Sequence, residues 1–178
     1  AGNVPGVSLV VVEKGAVRHA GGLGIRRQGS FDLVTARTRF RVGSIAKPVT
    51  AAAVMSLVSE RQIDLDAPVS EQLDSFGATP QDWANRITPR QLLNHTSGYP
   101  NYPDFFYEID GAEFDANDEL HLFLSMYTDE FFLEFEPGTQ RSYSNFGYAV
   151  LGWLAADKHG RTFDTMMQER VFAPFGME

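Results

Sequence analysis

The 178-residue sequence predicts an α+β chain, one β-hairpin followed by helices, and three observations carry that expectation. A β-branched apolar run, Val7 to Val12, meets a second extended, glycine-dotted stretch, Ala16 to Ile25, across a Glu13-Lys14-Gly15 turn. From Ser44 onward the apolar spacing becomes helical. The chain then reaches Gly176-Met177-Glu178 without another strand pattern, so the sheet begun by the hairpin is unfinished within these residues. The expected organisation is residues 1–43 as a hairpin and lead-in of a sheet domain, and 44–178 as a mostly helical domain, together one incomplete structural unit.

Each element has a local reason. The first strand is apolar on both faces, which suits a strand covered on both sides, and a lone two-stranded hairpin is marginal without further strands. Ala51, Ala52, Ala53, Val54, Met55, Leu57 and Val58 predict a central buried helix from Ser44 to about Glu60. Thr88-Pro89 supplies an N-cap and a first-turn proline for a short helix through Asn94, with Gly98 just past its end. Leu120, Phe123, Leu124 and Tyr127 predict a helix over 118–127, and two more follow over 145–158 and 163–172. No internal repeat or low-complexity linker interrupts them.

Composition narrows the function classes. A chain that is 43% hydrophobic and 21% charged can bury a real core. The absence of cysteine excludes disulfides, thiolate zinc sites and cysteine nucleophiles. No apolar run approaches the roughly 18 residues of a membrane span, and no signal-peptide pattern opens the chain. The net charge of −8 is uneven, with 11 acidic residues and no Lys or Arg between Arg90 and Arg141. With only three lysines in the chain, nucleic acid is an unexpected partner. The acidic stretch reads as a solvated face. Alternatively Asp104, Glu108 and Asp110, interleaved with Phe105, Phe106 and Tyr107, border a cleft and repel anionic substrates.

The chemistry-bearing residues begin with Ser44-Ile45-Ala46-Lys47, placed where the extended segment Thr38 to Val42 and Gly43 feed the buried helix. A serine at a helix start lies near unpaired backbone N–H groups and the positive end of the helix dipole, which favour developing negative charge. Three residues on is one turn, so the Lys47 amine can reach the Ser44 hydroxyl and accept its proton. Pro48 removes an amide donor and leaves the Ser44 carbonyl without its usual helical partner. The bland alternative is a capping serine beside a surface lysine. Against it, a lysine in so apolar a helix start is costly unless paired or working.

Tyr143-Ser144-Asn145 follows the Glu136-Pro137-Gly138 turn and opens a helix. A tyrosine beside a cationic lysine can shuttle a proton, and an asparagine can orient that lysine and hold a substrate amide. Tyr99-Pro100-Asn101 has the same pattern. Tyr143 is preferred because a glycine-containing apolar helix follows it, whereas Tyr99 lies in a proline-rich loop.

Several stretches, in order over nearly the whole chain, resemble the serine β-lactamase and penicillin-binding-protein family, which includes class C β-lactamases, DD-peptidases and related esterases. They are Val4-Pro5-Gly6-Val7, Phe40 through Lys47, Leu65-Asp66-Ala67-Pro68-Val69, Leu92-Leu93-Asn94-His95-Thr96-Ser97-Gly98, and Pro137-Gly138 with Tyr143 through Tyr148. The resemblance implies a β-lactamase/transpeptidase-like fold whose C-terminal strands are missing from this chain. It implies acyl transfer: Ser44 attacks a carbonyl, Lys47 and Tyr143 relay the proton, Asn145 helps hold the substrate, and the Ser44 backbone N–H is one oxyanion donor. Which of Lys47 and Tyr143 is the base stays open, because coupled groups titrate as a pair.

The family's third motif, Lys or His then Thr or Ser then Gly, is absent after Asn145. The expectation is therefore a serine hydrolase acting on a β-lactam, a D-amino-acid peptide or a small ester, weak or inactive unless a complementary C-terminal chain completes it. A periplasmic or secreted location follows from the resemblance. The alternatives are a catalytically silent, penicillin-recognising binding module and a self-standing helical interaction domain.

The remaining candidates have structural readings. The resemblance implies a structural role for His95 at a helix end. His19, His121 and His159 share no metal-ligand spacing, and neither a metal nor a cofactor is expected. Asn94-His95-Thr96 fits a glycosylation acceptor at a packed helix end. Gly21-Gly22-Leu23-Gly24 is a poor dinucleotide fingerprint, since no helix follows. Tyr102, Phe106 and Tyr107 line either a cleft or a core.

Overall fold

A computed structural model of the protein describes residues 4–74, 76, 84–101 and 133–177. The chain forms two compact units, Ala1–Gly43 and Ser44–Glu178. The helix expected over 118–127, the acidic and aromatic residues from Tyr102 to Asp110, and His121 lie outside the described residues.

In the first unit, β1 (Gly6–Glu13) pairs antiparallel with β2 (Ala16–Gly24), Gly6 opposite Gly24 and Glu13 opposite Ala16, with an irregularity between Val11 and Val12. The turn places Lys14 at φ 52° and Gly15 at φ 78°, two consecutive left-handed residues that match the twist of the strands they join. Gly22 has a structural reason within β2: a Cβ there would lie 2.5 Å from the Val34 carbonyl oxygen. Val34 is buried, but Val7, Leu9, Val10, Val11, Val12, Val17 and Leu23 are all exposed. The expectation of a strand covered on both sides is therefore not met within the described residues.

In the second unit a short 3-10 turn, Gly43–Ile45, leads into α1 (Ala46–Ser59). Then come α2 (Val69–Gln72), a 3-10 turn at Ala84–Arg86, α3 (Pro89–Leu93), α4 (Asn145–His159) and α5 (Phe163–Met167). The last expected helix, 163–172, is α5 continued by a π-type turn over Gln168–Phe172. At the start of α3, Thr88 Oγ1 accepts from the Gln91 amide at 3.3 Å while Gln91 Oε1 accepts from the Thr88 amide at 3.0 Å, satisfying two otherwise orphaned donors.

The core of this unit sits where α4 packs on α1, α3 and α5. Val54 and Leu57 of α1, Leu92 of α3 and Phe146, Val150, Leu151 and Leu154 of α4 are buried together. Each such side chain is worth about 1.5–3 kcal/mol when taken from water. Gly98, at φ 87°, has two reasons to be glycine: its left-handed backbone, and the Phe135 carbonyl oxygen 2.3 Å from where a Cβ would sit.

What positions the site is a seam between the segment after α3 and the segment before α4. Glu134 N–H donates to the Gly98 carbonyl, Gly138 N–H to Thr96, Ser142 N–H to His95 and Phe146 N–H to Asn101, at 2.8 to 3.1 Å. Ser144 Oγ donates to the Pro100 carbonyl at 2.8 Å and accepts from the Gly147 amide at 2.9 Å, capping α4.

Candidate functional site

The serine does not cap the helix that follows it. The N-cap of α1 is Ile45, which has no side-chain capping bond, and the Ser44 hydroxyl instead lies 2.6 Å from the Tyr143 hydroxyl. Either oxygen can donate. Both side chains are exposed, so the pair is open to a ligand.

Lys47, one turn on and half-buried, donates through Nζ to Asn145 Oδ1. Its Nζ also lies 4.7 Å from the Tyr143 ring centroid and 5.5 Å from that of Tyr148. The four residues singled out in the sequence, Ser44, Lys47, Tyr143 and Asn145, thus meet at the junction of α1 and α4.

Electrostatics separates the two phenols beside Lys47. Tyr143 is held below the usual tyrosine range, first by the neighbouring Lys47 amine, then by its hydrogen bond with Ser44, with burial opposing. Tyr148 moves the other way, raised by burial and by the neighbouring Tyr143, and its hydroxyl donates to the Leu93 carbonyl at 3.0 Å. The two phenols are thus shifted in opposite directions.

Sequence reasoning missed Asn101. Its Oδ1 accepts from Asn145 Nδ2 at 2.8 Å and from the Asn145 amide at 3.2 Å. With its Nδ2 engaged there, the Asn145 amide must turn its oxygen toward Lys47. The signal was present in the second Tyr-x-Asn triplet, whose tyrosine and asparagine the structure separates. Tyr99 is fully buried, edge-on to Phe146 at 4.9 Å, and burial raises its phenol well above the usual range. Asn101 is exposed beside Asn145.

His95 is buried at the end of α3 with φ 63°. Its ring centroid lies 4.6 Å from that of Tyr143 and 5.1 Å from that of Tyr148. Asn94 differs from the packed position expected: it is the exposed C-cap of α3, and its Oδ1 accepts from Thr96 Oγ1 at 2.6 Å. His159 Nε2 lies 2.9 Å from Glu169, at the opposite end of α4 from Asn145. No group of three potential metal ligands occurs among the described residues, and no helix among them is long and apolar enough to cross a membrane.

The family profile described as Beta-lactamase matches residues 1–178. The chain belongs to the β-lactamase family. Penicillin-binding protein 4 of Amycolatopsis lactamdurans is 33% identical over 175 residues, which cover 98% of this chain and 44% of that protein. Among solved structures, the octameric penicillin-binding protein homologue from Pyrococcus abyssi matches with a TM-score of 0.80 at 28% identity, over 98% of this chain and 40% of that one. The D-amino acid amidase from Ochrobactrum anthropi SV3, complexed with L-phenylalanine, matches with a TM-score of 0.81 at 26% identity, over 99% of this chain and 46% of that one. The architecture is an N-terminal portion of the β-lactamase/transpeptidase fold, and the chain spans less than half the length of each of these β-lactamase-family relatives.

Proposed function

We propose that the protein is a serine acyl-hydrolase that forms an ester-linked acyl-enzyme on Ser44, with a β-lactam, a D-amino-acid peptide or amide, or a small ester as substrate. The observation that carries this reading is the 2.6 Å contact of the Ser44 hydroxyl with the Tyr143 hydroxyl, whose ring lies beside the Lys47 amine.

In the first step Ser44 Oγ bonds to the substrate carbonyl carbon as its proton passes to the Tyr143 and Lys47 pair. The Ser44 backbone N–H serves as one oxyanion donor. Collapse breaks the bond to the leaving nitrogen or oxygen, which takes up the proton. Water then attacks the ester, and Ser44 regains its hydrogen. Asn145, fixed by Asn101, holds Lys47 and offers its amide edge to the acyl side chain.

Because Tyr143 is lowered, its phenolate is available at a lower pH than that of an ordinary tyrosine. Acylation should therefore rise with pH through the Tyr143 value and fall below it. Tyr143→Phe should cost about 10²–10⁴ in acylation rate.

The exposed apolar strands of the hairpin support a second part of the reading: further strands from a C-terminal segment, in the same or another chain, complete the sheet and the site. Family likeness further favours a periplasmic or secreted location, which cell fractionation checks.

The test is incubation with a fluorescent penicillin and with a fluorophosphonate, read by intact mass, with Ser44→Ala as control. The expected result is an adduct that disappears in the variant, on the full-length protein and weakly or not at all on the 178 residues alone. Reversible binding without an adduct would instead favour a silent penicillin-recognising module.

A further inference from the structure

Tyr143 is the residue whose placement the chemistry most needs, and its hydroxyl contact with Ser44 joins two exposed side chains. It precedes α4, and its ring is partly exposed. Both residues flanking it are tied to one other residue. Ser142 N–H donates to the His95 carbonyl at 3.0 Å, and Ser144 N–H donates to His95 Nδ1 at 3.2 Å. The His95 ring then lies against the Tyr143 ring, 4.6 Å between centroids. One residue therefore brackets the backbone on both sides of Tyr143 and backs its side chain.

We propose that His95 is the positioning residue of the site, holding the Tyr143 phenol against Ser44 only while its imidazole is neutral with Nδ1 as acceptor. The proposal rests on the acyl-enzyme reading of Ser44 and deepens it by assigning how Tyr143 is aimed and when that aim is lost.

The neutral form is required by geometry. An Nδ1 that accepts from Ser144 carries no hydrogen, so the ring hydrogen is on Nε2. Protonation would set an Nδ1 hydrogen against the Ser144 N–H, donor facing donor. Burial and the two cations near the ring act in the same sense. Burial, then Arg141, then Lys47 hold His95 below the usual histidine range, and the rings beside it are the phenols of Tyr143 and Tyr148. The sign follows from the lowered value. The neutral imidazole's contribution is complete above the unfolded histidine pKa and is lost as pH falls below it through the folded value.

The backbone of His95 also narrows the choice of test. Its φ of 63° is left-handed, where asparagine is among the better-tolerated side chains. Asparagine additionally offers an Oδ1 acceptor near the position of Nδ1, but it neither titrates nor stacks as an imidazole does. His95→Asn thus keeps the bracket and removes the proton. His95→Ala removes the proton, the Nδ1 acceptor and the ring contact, leaving only the backbone bond from Ser142.

The experiment uses the full-length protein and measures the acylation rate and binding constant for a penicillin across pH. Ultraviolet titration of Tyr143, with Tyr143→Phe subtracted, and melting temperature accompany them. In His95→Ala, acylation is expected to fall by about 10²-fold with the binding constant changed by less than about threefold, as for a displaced catalytic group. The Tyr143 titration should move up toward that of an ordinary tyrosine. In His95→Asn most of the rate should return. The acid limb, which in the wild type steepens from one proton to two once His95 protonates, should stay at one.

A folded His95→Ala protein with wild-type acylation and an unmoved Tyr143 titration would overturn the proposal. If the alanine variant does not fold, the asparagine variant decides it: a two-proton limb retained there overturns it equally. A wild-type protein that forms no Ser44 adduct would sink the acyl-enzyme reading instead. In that case the Tyr143 titration in the His95 variants still judges the bracket.

Discussion

In the Ser44–Glu178 unit the helix core is closed to water: Val54, Leu57, Leu151 and Leu154 all have no exposed surface. In the hairpin, Leu9, Val10 and Val12 keep 57%, 59% and 59% of theirs. The two regions are comparably apolar in sequence, so composition does not separate them. Geometry does. A helix can bury its stripe against three other helices supplied by the same stretch of chain, but a two-stranded hairpin whose strands are apolar on both faces can cover neither face by itself. Among the described residues the helical unit buries its core side chains within itself, whereas the hairpin leaves most of its apolar side chains exposed.

That contrast can be broken at its strong end first. Leu154→Ala should destabilise the helical unit by about 2–5 kcal/mol in a denaturant melt, through lost burial and the cavity left behind. A loss near zero would mean that the α1–α4 core is not what holds the unit together. Asn101→Ala should leave the fold intact and lower acylation about tenfold, because the Asn145 amide is then free to turn away from Lys47. Thr88→Ala, which dismantles the α3 capping box, should cost about 1 kcal/mol by the same melt.

The weak end is sharpened by Val10→Ala. In the 178-residue chain it should change stability by less than about 0.5 kcal/mol, as an exposed position does, but in the full-length protein it should cost as much as a core truncation. Equal costs in both would show that the hairpin needs no added strands. The smallest effect belongs to Asp66, whose carboxyl the Arg90 guanidinium holds below its usual range through bonds of 2.7 and 2.8 Å. Its contribution is present above the unfolded carboxylate value and is lost as pH falls through the folded one. Asp66→Asn should slightly flatten the acid side of a melting-temperature profile.

How much of this was legible in the sequence depended on the range of the interaction. The hairpin turn, the α1 apolar stripe and the Thr88-Pro89 start of α3 are local patterns read from spacing, whereas the expected contact of Lys47 with Ser44 is replaced by Lys47 with Asn145 and Ser44 with Tyr143. The preference for Tyr143 over Tyr99 rested on what followed each, and Tyr99 lies in the core. Asn101 beside Asn145 and His95 bracketing Tyr143 were not legible as contacts. They join residues 44 and 49 positions apart, and such polar pairings depend on where two loop ends land. The exposed strand faces contradicted the reading from β1's composition, because composition says that a strand wants cover but not that the chain provides it. The π-type turn after α5 was invisible for a different reason, since its apolar spacing over five residues reads as ordinary helix.

The junction of α1 and α4 has a kinetic meaning as well. Ser44 and Tyr143 are 99 residues apart and Lys47 and Asn145 98, so the reactive group does not exist in any fragment of the pathway that lacks docked α1 and α4. Closing so long a loop costs entropy before any contact rewards it, which makes assembly of the site a late event in folding. By the same token, a local opening that parts the two helices disconnects serine from phenol before the rest of the core is lost. The chemistry would then fade ahead of the melt, and the gap between the two transitions would measure how firmly α4 is seated.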